Sequence, residues 1–378
     1  MRDITKRTSV KISKNLSKNI SKMHIVNINE SISLDSWMED QYVESALFFD
    51  SLNVVPSTHN SGAVYPLKKE CCIPWLWAKC QSYSIRDQLM MGIRCFDLRL
   101  KIVRVEGKKN RYQIVHFFDS TYTFTDIMGE IHDFLDTNDG ETVFVMIKPD
   151  WNTRGNWRFS DLEDLWNTIS VNDRVLKVDD INKEEDGGNG GGGNGGGNGG
   201  GGISLSELRF CNVRGKVLMM PDGHFYHSYN DIAGGRNGAN KVNSGKDIDF
   251  IHGVKIIYPN FLNRCNNWNA GGLYDAKRRI EHFLFTEKER TLSGEESDTN
   301  HSEHNVFPLI ETNVVLFKGS IPPCVVSKCM KSYLENECVR MDSSTEDDMC
   351  YVKRLGFLML DFADDTLVKQ LLTNNLCS

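Results

Sequence analysis

A buried strand that carries two ionised side chains out of its end constrains this chain more than any other feature. The strand closes the stretch WAKCQSYSIRDQLMMGIRCFDLR, Trp77 to Arg99, and a helix-like segment precedes it. Apolar residues surround the two charged ones, Asp97 and Arg99. A charge at the end of a barrel strand usually belongs to an active site, because side chains from several strand ends meet there. The stretch therefore predicts a site at one end of an α/β barrel.

Polar side chains end other apolar runs in the same way. They are His59 with Asn60 in STHNSG, His116 in IVH, Lys148 in ETVFVMIK and Asp361 in FLMLDF. Helical patterns alternate with these runs, over 123–135 and over 160–170, where Ser160 begins a possible capping box. This alternation of strands and helices predicts a TIM-type (β/α)8 barrel. Two histidines, an arginine and an aspartate at successive strand ends suit phosphodiester chemistry.

Composition and charge exclude some classes of partner. The chain has 378 residues, 40% of them hydrophobic and 25% charged, which is ordinary for a globular protein and enough for one barrel with insertions. Seven of the 44 basic residues and one of the 51 acidic residues lie in the first 22 positions. The remaining 37 basic and 50 acidic residues leave a net charge near −13. We therefore expect no nucleic-acid partner for the main domain.

The sequence divides into a tail and one domain. Residues 1–30 form a basic tail, and residues 31–378 form a single barrel domain that begins with a short helix capped by Ser33 or Asp35. Two insertions interrupt the domain: the glycine-rich segment 184–202 and the polar segment 286–305. The first cannot offset the entropy of folding and reads as a flexible linker. The strands resume over 214–220 and 253–258, and the last strand, 354–362, precedes a final helix over 367–376.

The tail suggests a membrane surface. In KISKNLSKNISKM, residues 11–23, apolar side chains share one helical face with lysines beside it, a pattern that binds anionic lipid. A solvated tail and a mitochondrial presequence remain alternatives. No stretch reaches the ~20 apolar residues of a membrane span, and no signal peptide is visible. Eleven cysteines without a C-x-x-C spacing favour reduced thiols. We expect a cytoplasmic protein that associates peripherally with membrane.

The motifs resemble a known family. The set S-T-H-N-S-G, C-Q-x-x-S-I-R-x-x-L-x-x-G-x-R-x-x-D-L-R and V-H is similar to the X region of phosphatidylinositol-specific phospholipase C. It looks like the metal-independent branch, the bacterial enzymes and the trypanosome-type glycosylphosphatidylinositol phospholipase C. The similarity is strong from His59 to Lys148 and again near Asp361. The resemblance implies a distorted barrel and an inositol phospholipid or glycolipid substrate.

The resemblance also implies roles for individual residues. His59 would act as general base and His116 as general acid, since imidazole titrates near neutral pH. Arg99 would stabilise the pentacoordinate phosphate, and Asp97 would hold Arg99 in place. Asp361 would accept a hydrogen bond from the second ring nitrogen of His59 and fix its tautomer.

Five further positions concern the substrate and the membrane. Lys148 matches a lysine beside the inositol phosphate pocket, and Asn60 stands where bacterial enzymes have an aspartate that supports the acid. Tyr258 is placed in the pocket by position alone, and core or loop structure remains equally open. Trp77 matches a tryptophan on a lipid-contacting rim helix, so Trp75 and Trp77 are interfacial candidates, with core packing as the alternative. The bacterial arginine that packs on the inositol ring has no counterpart near 221–222.

The pair Asp97-x-Arg99 bears on the metal. Metal-dependent relatives hold calcium partly with two acidic residues on this strand, whereas here a guanidinium replaces the second acid and would repel the ion. We therefore expect no metal and no other cofactor.

The first hypothesis is a metal-independent phospholipase C that releases diacylglycerol and a 1,2-cyclic inositol phosphate. A glycerophosphodiester phosphodiesterase on the same barrel and a non-catalytic lipid-binding module are the alternatives. Arg99 counts against the former, because such enzymes usually need acidic metal ligands. Both histidines count against the latter.

Overall fold

The protein is described from a computed structural model. It describes residues 32–64, 78–150, 153, 156–182, 205, 208–222, 225, 250–257, 262–265, 273–293, 307–312, 323–334 and 355–373. A compact unit begins at Leu34. The predictions for residues 1–30, 184–202, Trp75, Trp77 and Tyr258 lie outside the described residues.

Eleven strands occur in the described part of the chain. They are β1 (Val54–Thr58), β2 (Cys95–Val103), β3 (Arg111–His116), β4 (Phe118–Thr123), β5 (Thr142–Pro149), β6 (Lys216–Pro221), β7 (Phe250–Ile251), β8 (Val254–Lys255), β9 (Leu262–Cys265), β10 (Phe307–Glu311) and β11 (Gly356–Leu360).

Ten helices accompany them in the same part of the chain. They are α1 (Trp37–Gln41), α2 (Phe48–Ser51), α3 (Ile85–Met90), α4 (Phe124–Leu135), α5 (Phe159–Ser170), α6 (Val178–Asn182), α7 (Phe210–Val213), α8 (Leu273–Ser293), α9 (Pro323–Tyr333) and α10 (Asp365–Thr373). None of these helices combines the length and the apolar character that crossing a membrane requires.

The predicted α/β class is confirmed by a central sheet of parallel strands. The parallel pairs run in the order β9, β10, β11, β1, β2, β5, β6. Ile256 adds a parallel bridge to Met219 of β6. Among the described residues, no backbone pair joins the segment of Ile256 to β9, so the ring of strands is open there. Parallel order places on one side the predicted residues that β1, β2, β5 and β11 carry, namely His59, Asp97, Arg99, Lys148 and Asp361.

The core explains why these runs form interior strands. Every residue of β1, β5 and β11 is buried, as expected for strands covered on both faces. Phe48 of α2 packs 5.7 Å from Phe144 of β5, and Phe357 of β11 packs 4.8 Å from the same ring. These rings lie near the amino ends of their strands, so α2 covers the floor of the sheet, opposite the predicted site.

The antiparallel hairpin of β3 and β4 begins where β1 stops. β1 pairs with β2 only at two positions, up to Thr58 opposite Phe96. Above that level β3 pairs with β2, with Leu100 opposite Ile114. His116, the last residue of β3, is therefore delivered to the end of β1.

The structure corrects several predicted boundaries. Helix α5 begins at Phe159 and Arg158 is its N-cap, so a cap at Ser160 is wrong; the Asp161 carboxylate accepts the Arg158 N–H at 2.8 Å. The first helical segment forms two short helices, and α1 is preceded by Ser36, not by Ser33 or Asp35. The free N–H groups of α1 donate to a buried Glu141 instead of a cap. Helix α8 continues through residues 286–293 of the polar segment.

Candidate active site

Three predicted site residues are each followed by a left-handed residue. After His59, His116 and Asp361, the chain adopts positive φ at Asn60 (44°), Phe117 (59°) and Phe362 (51°). L-residues adopt this conformation at a cost in free energy, and such strain is concentrated at functional sites. At all three positions the backbone thus turns sharply directly after the polar side chain.

His59 and Asp361 meet because β1 and β11 are parallel neighbours. Their register pairs Thr58 with Leu360, so the next residue of each strand lies beside the other. The Nδ1 atom of His59 is 2.8 Å from Oδ1 of Asp361. Nδ1 therefore donates to the carboxylate, which leaves Nε2 with its lone pair. Gln81 fixes this corner by donating from Nε2 to the carbonyl oxygens of both His59 and Leu360, at 2.8 and 2.9 Å.

Asp97, Arg99 and Lys148 form a charged cluster beside the histidines. Residues 97 and 99 share one face of β2, since side chains alternate along a strand. Arg99 Nη2 donates to Asp97 Oδ2 at 2.9 Å, and Nε lies 3.2 Å from Oδ1. Lys148 of β5, opposite Arg99 in register, places Nζ 3.4 Å from Asp97 Oδ1 and 4.0 Å from Glu311 Oε1. One buried carboxylate thus holds two cations.

The cluster keeps Asp97 ionised. Burial by itself would raise the pKa of Asp97, but the charges of Arg99 and Lys148 hold it well below its usual range. Burial lowers the pKa of Lys148, and the attraction of Asp97 partly offsets that effect. Asp97 is therefore a fixed negative group that contacts both Arg99 and Lys148.

His116 is held by the backbone of the segment before α3. Its Nδ1 atom donates to the carbonyl oxygen of Ala78 at 2.7 Å, so Nε2 carries the lone pair. Burial lowers the pKa of His116 to about 3, although the hydrogen bond to Ala78 acts in the opposite direction. In this state His116 is neutral, and it needs an anionic neighbour before it can carry a proton near neutral pH.

Asn60 bridges the two imidazoles. Its Nδ2 atom is 2.9 Å from Nε2 of His59 and 3.2 Å from Nε2 of His116. One amide group therefore donates to both lone pairs and marks the point on which both rings converge. The Oδ1 atom of Asn60 is buried and has no hydrogen-bond partner among the described residues. A buried amide oxygen without a partner costs free energy, so the site is incompletely satisfied in this state.

A family model and solved structures match this chain. The model of the X domain of phosphatidylinositol-specific phospholipase C matches residues 66–162, which include Arg99, His116 and Lys148. The matched segment, about a quarter of the chain, supports the resemblance to the X domain of phosphatidylinositol-specific phospholipase C. This match supports phosphatidylinositol phospholipase activity, a form of phosphodiester cleavage, in general terms. Among curated protein sequences, none matches this chain.

The similar solved structures share the fold of this family. A phosphatidylinositol-specific phospholipase C from Listeria monocytogenes superposes with a TM-score of 0.61 at 16% identity, over 91% of this chain and 99% of that chain. One from S. aureus, described in terms of membrane binding, superposes with a TM-score of 0.53 at 14% identity, over 91% and 98%. The open parallel sheet is thus the TIM-barrel-like fold of the phospholipase, in agreement with the predicted fold class.

The sequence analysis predicted that this site holds no calcium, and the donor atoms of the described residues bear on that prediction. Both oxygens of Asp97 already face cationic nitrogen atoms. His59, Cys80 and Asp361 place ligand atoms within 4.8 Å of one another. A thiol and an imidazole are poor ligands for calcium, which prefers several oxygens. Burial and the nearby Asp361 also raise the pKa of Cys80, which keeps this thiol protonated. The described site does not fit calcium.

The structure brings most of the predicted site residues together and adds some that the sequence analysis missed. His59, Asn60, Asp97, Arg99, His116, Lys148 and Asp361 form one contiguous site, whereas Tyr258, Trp75 and Trp77 lie outside the described residues. Glu311 was missed, although an acid directly after the apolar run FPLI gives the same signal as Asp361. Cys80, 3.7 Å from Nδ1 of His116, and Gln81 give no sequence signal beyond their place in the family motif.

Proposed function

We propose that this protein is a metal-independent phospholipase C that cleaves phosphatidylinositol or its glycosylated form. The products are diacylglycerol and inositol 1,2-cyclic phosphate or its glycosylated equivalent. The observation that carries the proposal is the convergence of the two imidazole Nε2 atoms on the single amide of Asn60, at 2.9 and 3.2 Å. Two imidazole nitrogen atoms that face one point, beside a fixed pair of cations, suit an in-line displacement at phosphorus.

In the proposed reaction His59 gains one proton and His116 loses one. His59 removes the proton from the inositol 2-hydroxyl, and that oxygen forms a bond to phosphorus. The bond from phosphorus to the glycerol oxygen breaks, and protonated His116 gives this oxygen its proton. Asp361 stabilises the imidazolium of His59 through Nδ1, at 2.8 Å. His116 becomes an acid when the phosphodiester anion raises its pKa from the low value of the free protein.

Arg99 and Lys148 supply the positive charge for the pentacoordinate phosphate. Arg99 donates to Asp97 with both Nε and Nη2, which leaves its other N–H groups for substrate. Preorganised donors at developing charge are a large source of rate acceleration. We propose that these cations replace the calcium ion of the metal-dependent relatives, and that Asp97 positions them.

We further propose a cytoplasmic enzyme that associates peripherally with the membrane holding its substrate, with residues 31–378 as one catalytic domain and residues 1–30 as a basic tail. The absence of a pocket arginine near 221–222 makes inositol recognition differ from the bacterial enzymes. Phosphatidylinositol and its glycosylated form are therefore both tested as substrates.

Phosphorus NMR of the purified protein with each lipid in mixed micelles, in excess EDTA, tests the proposal. We expect a cyclic inositol phosphate signal that disappears in both His59→Ala and His116→Ala. His132→Ala is the matched control, since this histidine lies on α4 and bonds to Asn172 at 2.6 Å, away from the site.

Two outcomes contradict the proposal. Turnover that is absent in EDTA and restored by calcium would contradict the proposal that Arg99 takes the place of the metal ion. Absence of turnover with both lipids, with and without calcium, would favour a lipid-binding module that has the fold but does not catalyse the reaction.

A further inference from the structure

Phe117 combines two unfavourable features at the site. Its φ of 59° lies in the left-handed region, which a bulky side chain rarely adopts. Its side chain is also 61% exposed, whereas Asn60, the left-handed residue after His59, is only 3% exposed. Strain and an exposed aromatic ring both oppose the folded state, so packing does not account for this residue.

The ring of Phe117 lies directly beside the imidazole of His116. Antiparallel register pairs His116 with Phe118, so Phe117 is the single residue at the tip of the β3–β4 turn. Its ring centroid is 4.6 Å from that of His116, with the ring planes at 49°. An exposed apolar surface thus begins at the edge of the proposed acid.

The chemistry of the proposed reaction divides the substrate between the two histidines. The inositol 2-hydroxyl must lie at His59, because that residue takes its proton. The glycerol oxygen must lie at His116, because that residue returns a proton. The acyl chains are esterified to the glycerol carbons beside this oxygen, so the apolar part of the substrate leaves the site on the side of His116.

We propose that Phe117 contacts the acyl chains of the bound lipid and so distinguishes a diacylglycerol leaving group from a polar one. This inference rests on the proposed function, because it uses the roles of the two histidines. The exposed ring becomes covered when the lipid binds, which converts an unfavourable exposure into apolar contact. The left-handed backbone at the turn aims this ring outward while His116 faces Asn60.

Variants of Phe117 test the contact without disturbing the turn. Phe117→Asn removes the ring but keeps a residue that tolerates the left-handed conformation. Phe117→Tyr keeps the ring and most of its apolar surface. Val171→Asn is the matched control, since Val171 is an apolar residue that is 81% exposed at the end of α5. Val175, four residues later, bridges to Val217 at the start of β6, on the floor side.

Binding is measured calorimetrically in a His59→Ala background, in which the ligands stay intact. The two ligands are dihexanoyl phosphatidylinositol below its micellar concentration and glycerophosphoinositol, which has the same phosphodiester without acyl chains. We expect Phe117→Asn to weaken binding of the dihexanoyl lipid about tenfold and to leave glycerophosphoinositol unchanged. Phe117→Tyr and Val171→Asn should leave both affinities unchanged.

Equal weakening for both ligands would overturn the inference, since it would indicate an effect on the phosphate site. Unchanged affinity of Phe117→Asn for the dihexanoyl lipid would also overturn it. Failure of the proposed function is separate: it shows as absent turnover by the unsubstituted protein, whatever the affinities of the Phe117 variants.

Discussion

The proton state of His116 is the most testable property of a single residue in this protein. We expect its ring protons in the free protein to show no titration between pH 5 and 8, because burial lowers its pKa to about 3. Addition of inositol 1-phosphate should bring the titration into that range, since a nearby anion favours the charged imidazole. Proton NMR of the histidine rings measures both states, with His116→Ala to assign the signal. A free-protein pKa near 6.5 would contradict this expectation.

Asn60 is the residue at which charge can be added with the least change of shape. A carboxylate in place of its amide would lie within hydrogen-bond distance of both imidazoles and favour their charged forms. We expect Asn60→Asp to stabilise the protonated form of both rings relative to the neutral form. Both limbs of the pH–rate profile should then move to higher pH, because the proposed reaction uses His59 as a base without its proton and His116 as an acid with its proton.

Asn167→Asp is the matched control for this experiment. Asn167 is exposed on the outer helix α5, where the same change of charge touches neither histidine. An identical pH–rate profile for Asn60→Asp and Asn167→Asp would contradict the coupling of Asn60 to the two rings.

At the scale of elements, the buried ion pair of Arg94 and Glu141 connects several segments at the floor of the sheet. Arg94 donates from Nε to Glu141 Oε2 at 2.6 Å and from Nη2 to Asp35 O at 2.9 Å. The other oxygen of Glu141 accepts the N–H groups of Met38 and Glu39, both at 2.9 Å. The pair therefore joins α1 to the starts of β2 and β5.

Loss of this pair should be costly. Glu141→Gln leaves a buried guanidinium without its counter-ion, and we expect it to lower the free energy of unfolding by about 3 to 5 kcal/mol. Asp136→Asn, which removes the exposed partner of Arg174, should cost about 1 kcal/mol or less. Urea denaturation followed by circular dichroism compares the two. Equal urea midpoints for the two variants would show that the buried ion pair does not stabilise the packing of these segments.

At the scale of the whole molecule, the uneven charge of the sequence bears on membrane binding. Seven basic residues precede a remainder with a net charge near −13. We expect simultaneous charge reversal of Lys14, Lys18 and Lys22 to weaken binding to anionic vesicles, since each basic residue near such a surface contributes about 1 kcal/mol. Vesicle sedimentation measures this, with neutral vesicles as the control. Unchanged sedimentation of the variant with anionic vesicles would contradict a role of the tail in membrane binding.

Local patterns were sufficient for the elements that lie inside the fold. β5 and α4 occur within two residues of their predicted bounds, because continuous apolar character and helical spacing are properties of the segment itself. Boundaries set by distant partners were predicted less well. α1 has no side-chain cap because Glu141, about a hundred positions away, satisfies its N–H groups. Of the strand predicted over 253–258, the described residues 253–257 contain only the short strand β8, which pairs antiparallel with β7.

The sequence by itself predicted the α/β class, the resemblance to the phospholipase X domain and the polar residues that follow β1 and β11, because these depend on the order and type of nearby residues. It placed Asp97 and Arg99 at the end of their strand, whereas β2 continues to Val103 and pairs there with β3. Only the tertiary structure decided which of these residues touch. The register of β1 and β11 brings Asp361 to His59, and the early end of β1 admits His116 beside Asn60. It also decided that Glu311 lies beside Lys148 and that Phe117 is exposed beside His116. Contacts between strands hundreds of residues apart arise from register and packing, which no local pattern encodes.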